Sequence, residues 1–339
     1  MAQHFLLSKD ARGLSLKRIF GLSNPEALTL FREARWGKGR DPKCPSVNCG
    51  HVANHYFHDG RQRWRCNRCR RWFSVTSGTV FAYRKLPLQI YLAAMAIYTQ
   101  HVKGIPALAL CRKLDVQYKT AFVLAHKLRT ALLAQRDDSP LEGDVELDGC
   151  YFNGYVKPAN QKVNRRDRRL ARNQNPKKSV IMVLRQRGGP KQGGQRTLTF
   201  STRSENQSSV LKLVRKYIAA GSTVYADEHS AYDSLHTLFR TLRTNHSVQY
   251  SDENGIHTNT AEGFFSRLRR MQRGQCHHFN NNYIDLYANE AAYREDNRRR
   301  AMHTLFDDIL TKCLETKPSR DLCGYWQHRG QLHRREQFV

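Results

Sequence analysis

Acidic residues are scarce in this chain. Its 339 residues hold 29 Asp and Glu against 57 Lys and Arg, a formal charge of +28 with histidine neutral. A field of that sign attracts polyanions, of which nucleic acid is the commonest. Long apolar runs are missing too: none approaches the ~20 residues of a spanning helix, which weakens an anionic membrane as the partner. The opening MAQHFLLSKDARGL lacks the basic head and long apolar stretch of a secretory leader, so none is expected. Internal repeats and long low-complexity tracts are also absent. A disulfide framework is disfavoured, because the nine cysteines are an odd number and four crowd between positions 44 and 69. That pattern fits a metal site in a reducing compartment. The length allows two or three domains with a real core.

Helical periodicity marks the first part of the chain. NPEALTLFREARW at 24–36 is expected to be a helix capped by Asn24, with Pro25 at its first position. From Leu88 to about Gln135 three further helices are expected, broken at Gly104 and Pro106 and again at LDV. RDDSPLEGD reads as a linker. Strands then take over at 145–155, 179–187 and 196–203, followed by an amphipathic helix in SSVLKLVRKYIAA and a short strand at 222–227. SAYDSLHTLF reads as helix, HSVQYS as a possible strand, and 257–272 as helix again. This is a mixed α/β order. From Ile284 to about Cys313 the chain reads as helical and strongly basic.

The cysteines at 44, 49, 66 and 69 form C-x4-C, a 16-residue spacer and C-x2-C. Two thiolates on each of two tight knuckles suit tetrahedral Zn²⁺, and four protein ligands leave no open position, so the zinc is expected to be structural. Gly50 would supply a positive φ at the first knuckle. His51, His55 or His58 could replace one ligand. Arg61, Arg63, Arg65, Arg68 and Arg70, with Arg71, Trp64 and Trp72, dress this segment for phosphate contact. Downstream, GIPALALCRKLDVQYKTAFVLAHKLR has the rhythm of a helix-turn-helix. Gln117, Tyr118, Lys119 and Thr120 would then lie at the end that reaches base edges. Two ordinary packed helices give the same pattern.

DVELDGCYFNGY at 144–155 places acids in and around a strand. Alternation puts Asp144, Glu146 and Asp148 on one face and Val145 and Leu147 on the other. Buried carboxylates are costly unless paired. Asp227 closes the short strand in VYADEHSAY, and Glu262 opens a helix in HTNTAEGFFSRLRR with 34 residues between the two. A strand-borne Asp, a strand-end Asp and a helix-borne Glu can converge on two Mg²⁺ ions, with Mn²⁺ as a substitute. Asn259, three residues before Glu262, shares its helix face and could approach the same ions through a neutral carbonyl. Each acid also has a plainer reading. Asp144 and Glu146 could face water or pair with Arg, Asp227 could cap the following helix, and Glu262 could pair with Arg269.

The order of zinc ribbon, helix-turn-helix, LDGCYFNGY, YADEHSAY, HTNTAEGFFSRLRR and YANEAAYREDNRR resembles bacterial insertion-sequence transposases of the DDE superfamily. It is most similar to the branch with a zinc ribbon and an H-x-N-x-x-E third motif, over nearly all of residues 20 to 310. The resemblance implies a ribonuclease H-like catalytic fold, Mg²⁺ dependence, and cutting and joining at terminal inverted repeats. Asp148 matches the first catalytic acid, Asp227 the second, and Glu262 or Asn259 the third. Gly149 and Cys150 depart from the Glu and Thr or Ser that usually follow the first acid. The architecture expected is a helical segment at 1–40, a zinc ribbon at 41–82, a helix-turn-helix domain at 83–138, a ribonuclease H-like domain at 139–280, and a basic helical region with a tail at 281–339. Double-stranded DNA is the expected partner, a homodimer or higher oligomer the expected assembly, and the bacterial cytoplasm, at the nucleoid, the expected location.

The stretch at 157–178 carries nine Lys or Arg and one acid. Like charges at this density avoid packing and meet polyanions. Arg165, Arg166, Arg168 and Arg169 are therefore read as a DNA-contacting arm, with Arg269 and Arg270 and the run at 297–300 as further basic contacts. A solvated loop is the plainer reading. Two other functions compete with the transposase: a non-enzymatic DNA-binding regulator, and a ribonuclease H-like nuclease that cuts without joining.

Overall fold

The computed structural model describes residues 7–9, 11, 13–167, 170–189, 192–244 and 256–319. They fall into two compact units, one running to residue 136 and resuming at 297, the other spanning 137–296.

The first unit begins with α1 (Leu16–Phe20) and α2 (Asn24–Trp36). Ser23, not Asn24, caps α2: its hydroxyl accepts from Glu26 N–H, while the Glu26 carboxylate accepts from Ser23 N–H at 2.8 Å. A reciprocal capping box satisfies two otherwise orphaned donors. Asn24 is thus already helical. The ribbon is a three-stranded antiparallel sheet of β1 (Tyr56–His58), β2 (Arg63–Arg65) and β3 (Trp72–Phe73). Period-2 alternation in β2 buries Trp64 and turns Arg63 and Arg65 outward. Arg35 of α2 clamps the segment after β3, donating to the carbonyls of Val75 at 2.5 Å and Ser77 at 2.6 Å.

α3 (Leu88–Gln100) is buried from Tyr91 to Thr99, as a helix that is apolar all round must be. α4 (Ala107–Leu114) and α5 (Tyr118–Ala134) pack together across a tight turn. Asp115 makes that turn with a left-handed φ of 51°.

The second unit holds a five-stranded mixed sheet of β4 (Asp144–Phe152), β5 (Ser179–Arg187), β6 (Gly194–Thr202), β7 (Thr223–Ala226) and β8 (Arg240–Arg243). Its order is β6-β5-β4-β7-β8, with β4, β5 and β6 antiparallel in sequence and β7 and β8 parallel to β4. This α/β arrangement fits a ribonuclease H-like domain. α6 (Gln207–Tyr217) covers one face. There Val145 and Leu147 join Val180, Met182, Leu198, Val210, Leu213 and Val214 in the core. α7 (Asn259–Met271) packs on β4 and β5, and α8 (Ile284–Asp296) on β6. SAYDSLHTLF is a 3-10 helix over Ser230–Thr237. β8 lies in RTLR, where no strand was expected, and HSVQYS lies outside the described residues.

The helical C-terminal region does not stay together. α8 belongs to the second unit, whereas α9 (Met302–Glu315) packs with α2, α3 and α5 in the first. The basic run at 297–300 falls between them rather than on a helix.

Candidate active site and metal centres

The four cysteine sulfurs lie within 4.8 Å of one another, with Cys44 Sγ 3.7 Å from Cys69 Sγ and Cys49 Sγ 3.6 Å from Cys66 Sγ. The knuckles explain the convergence. Gly50 takes the expected left-handed φ of 56° in the first. In the second, Arg70 does the same job at φ 60°, and its N–H donates to the Cys66 carbonyl at 2.9 Å. Burial opposes ionisation of Cys66. The N–H groups of Cys69 and Arg68 and the thiols of Cys49 and Cys69 outweigh it and pull the thiol down to about 6. A set of four thiols at this spacing fits tetrahedral zinc with no open position. His55 stays out of it, its Nε2 meeting the His51 carbonyl.

Outside this core the ribbon is basic. Arg61, Arg63, Arg65, Arg68 and Arg70 are all exposed, and the cross-strand register sets Arg65 opposite both Tyr56 and Trp72, themselves exposed. Gln117, Tyr118 and Lys119 are exposed at the start of α5, with Thr120 half-buried. The basic segment 157–178 is the connection between β4 and β5, and most of its described residues are exposed. Arg165 and Arg166 are fully on its surface, while Arg168 and Arg169 lie outside the described residues.

The acids assemble through the sheet. β4 and β7 run parallel with Asp144 opposite Thr223 and Glu146 opposite Tyr225. Two residues further on, the same register carries Asp227 to the side of Asp148. Burial, first, and then the charges of Asp227, Glu205 and Glu262 push the Asp148 carboxyl up to about 8, although Gly149 N–H donates to it at 2.7 Å. Asp227 also accepts from His229 N–H at 2.9 Å, a local turn two residues long; it does not cap the following helix, whose cap is His229, its Nδ1 accepting from Ala231 N–H at 3.2 Å. Asn259 and Glu262 both stand exposed in the first turn of α7. These carboxylates do not close to the spacing of the cysteines; among the described residues only the sulfur cluster does.

Glu146 is fully buried and takes no place among those acids. Arg187 Nε meets its Oε1 at 2.7 Å, Ala261 N–H donates to its Oε2 at 2.8 Å, and His257 Nδ1 stands 3.4 Å away. Arg187 also donates to the His257 carbonyl and lies 3.6 Å over the Tyr225 ring. Glu146 thereby fixes the first turn of α7, the turn that carries Glu262. Asp144, by contrast, is exposed and accepts from Tyr225 at 3.4 Å.

Among the described residues Arg269 pairs with no acid; it donates to Cys150 Sγ at 2.8 Å, and Arg270 donates to Ser266. Beyond Cys150 the end of β4 opens on a cleft lined by Tyr151, Asn153, Lys177, Arg269, Arg273 and His278. Glu205 is the acid that motif reading missed. It lies in RSENQ, ahead of α6, where it reads as an ordinary loop charge.

Two family models match. The ISXO2-like transposase domain covers residues 140–296, and the transposase zinc-ribbon domain covers 22–72. The chain belongs with the zinc-ribbon insertion-sequence transposases of bacteria. No curated protein and no solved structure matches it. The transposase domain spans both strands that bear the acids, the whole of α7, and α8 behind it. Its end at 296 coincides with the end of the second unit. No described helix of this transposase is long and apolar enough to cross a membrane.

Proposed function

We propose that this transposase binds the terminal inverted repeats of its element, cleaves the DNA there, and joins the freed 3′-hydroxyls to target DNA. The observation that carries the reading is the parallel register of β4 and β7, which sets Asp227 beside Asp148 under the first turn of α7. Asp148, Asp227 and Glu262 would hold two Mg²⁺ ions. Hard oxygen donors suit that ion, and among the groups that shift the Asp148 carboxyl in either direction there is no Lys or Arg. When bound, such a pair activates the attacking oxygen and neutralises charge on the phosphodiester. A pair of ions would draw its ligands from more than one point, which is consistent with acids spaced more openly than the cysteines.

The chain's own residues do the rest. Glu146 and Arg187 hold α7 so that Glu262 faces the strand acids. Glu262 is preferred to Asn259 because Asp148 feels its charge and because a carboxylate is the stronger ligand. Arg61, Arg63, Arg65, Arg68 and Arg70 would grip phosphates. Gln117, Tyr118, Lys119 and Thr120 would read bases from a helix-turn-helix. The arm with Arg165, Arg166, Arg168 and Arg169 would clamp DNA near the acids, with Arg269 and Arg270 on α7. Paired cutting of two element ends favours a dimer or higher oligomer.

The test is cleavage of DNA carrying an element end, with Mg²⁺ and the purified full chain. Asp148→Asn, Asp227→Asn and Glu262→Gln should each lower the rate by more than about a hundredfold, since metal-held charge contributes several kcal/mol. End binding should persist in all three, and Asn259→Ala should weaken cleavage only partly. If all three acid variants still cleave, the reading fails. If the unaltered chain binds ends without cutting them, it is a regulator.

A further inference from the structure

Gly149 is a glycine inside a regular strand. It pairs in register with Met182 of β5, and its φ is not among the left-handed ones. The backbone therefore does not call for glycine here, and a glycine in a strand interior costs stability. Such a glycine marks a close approach by something else. The visitor is Glu205: a Cβ on Gly149 would stand 2.5 Å from Glu205 Oε1, 2.6 Å from Cδ and 2.8 Å from Oε2. No side chain at 149 is compatible with Glu205 where it lies.

The position of Glu205 is held from its own side. The hydroxyl of Tyr232, a fully buried residue, donates to Oε1, and Tyr151 lies against the same carboxylate. Asn206, the next residue, caps α6 by accepting from Ser209 N–H at 2.9 Å, which fixes the chain on the other flank. Among the described residues no Lys or Arg pairs with Glu205. Its charge is instead felt at Asp148, ahead of that of Glu262. A fixed carboxylate, seated over the residue that follows Asp148 and lacking a cationic side chain, is an arrangement that a divalent ion completes.

We infer that Glu205 is a fourth carboxylate of the divalent-metal centre, and that Gly149 is the opening that admits it. The inference rests on the metal reading given under the proposed function. A purely structural role for Glu205, holding Tyr232, would survive Glu205→Gln, which keeps both the size and a carbonyl acceptor. A metal role would not.

The experiment titrates Mn²⁺ into the full chain with its zinc in place and no DNA, reading free Mn²⁺ by its paramagnetic resonance. Circular dichroism confirms that each variant folds. Glu205→Gln should weaken Mn²⁺ binding about tenfold or more. Gly149→Ala should do the same, because its methyl group displaces the far end of a flexible side chain at little cost to folding. The double variant should bind no more weakly than either single one, since both changes remove the same carboxylate. Binding by Glu205→Gln equal to that of the unaltered chain overturns the inference, as does a double variant in which the two losses multiply. Asp148→Asn separates the failures. If it loses Mn²⁺ binding while Glu205→Gln keeps it, the metal reading stands and Glu205 is outside it. If neither variant changes Mn²⁺ binding, both fall.

Discussion

The two candidate metal centres are built in opposite ways. The cysteine centre is local: four ligands lie within 26 residues, and each knuckle is shaped by its own turn. Its backbone N–H groups favour the thiolate at Cys66, while burial pushes the Cys44 thiol up to about 12, so an ion still has to displace protons from the set. The acid centre is assembled from far apart. Asp148 and Asp227 meet through a parallel strand pair, Glu262 arrives on a helix tied to Glu146, and Glu205 reaches across Gly149. Here the protein does not settle the charge, and Asp148 is held well above the usual carboxylate range. A local centre whose ligands are preset by their own turns belongs to folding. A long-range centre left with unbalanced like charge stands ready for a ligand that comes and goes.

The strongest way to break this contrast is to attack the local centre. Cys66→Ser should lose zinc and unfold the ribbon while the second unit stays folded, because structural zinc in small domains is worth about 10–16 kcal/mol. Zinc analysis and limited proteolysis check it. An unaltered chain that purifies without zinc would refute the assignment. End binding should vanish with the ribbon.

A middling effect is expected where the long-range centre is braced. Arg187→Ala would leave Glu146 charged and fully buried, a loss of about 3–5 kcal/mol in denaturant unfolding. Pairing it with Glu146→Gln should recover most of that loss, since the cost lies in the uncompensated charge. A double variant no more stable than the single would show that the side chain matters for its packing instead.

The smallest effect sharpens the link between the acids and the positive charge around them. Replacing Arg165, Arg166, Arg168 and Arg169 by Ala should flatten the slope of log K against log salt by up to roughly 3–4 units, about 0.9 for each phosphate no longer neutralised. An unchanged slope would mean that the arm does not touch DNA.

The contrast also explains what could be read from sequence. Spacing alone exposes a local site, and the ribbon was legible to its ligands and to Gly50. Arg70 was not, because nothing in the residue type announces a left-handed φ. Strong periodicity gave α2 to α5 and β4 to β7. β8 was missed because RTLR at a sheet edge has no apolar run to mark it. α8 and α9 read as one basic region, yet packing divides them and the arginines fall in the joint. Asp148, Asp227 and Glu262 emerged from motif order rather than from spacing. Glu205 could not emerge at all, since only the fold brings RSENQ over Gly149. One signal did exist: a glycine interrupting an otherwise good strand.

The central claim is that the acid cluster is completed by a divalent cation. Asp148, raised to about 8 by burial and by Asp227, Glu205 and Glu262, binds its proton more tightly in the folded chain than in the unfolded one. Its stabilising contribution is therefore complete below its ordinary value of 3.8 and is lost as pH rises to about 8. Asp296, raised by burial to about 7, titrates in the same window, so the difference between the unaltered chain and Asp148→Asn isolates the site. The decisive measurement is thermal unfolding with zinc retained, with and without Mg²⁺, at pH 5 and pH 8. Mg²⁺ should raise the Tm of the unaltered chain at pH 8, do little at pH 5, and leave Asp148→Asn unmoved at either pH. A Tm at pH 8 that ignores Mg²⁺, or an equal rise in Asp148→Asn, would contradict the account.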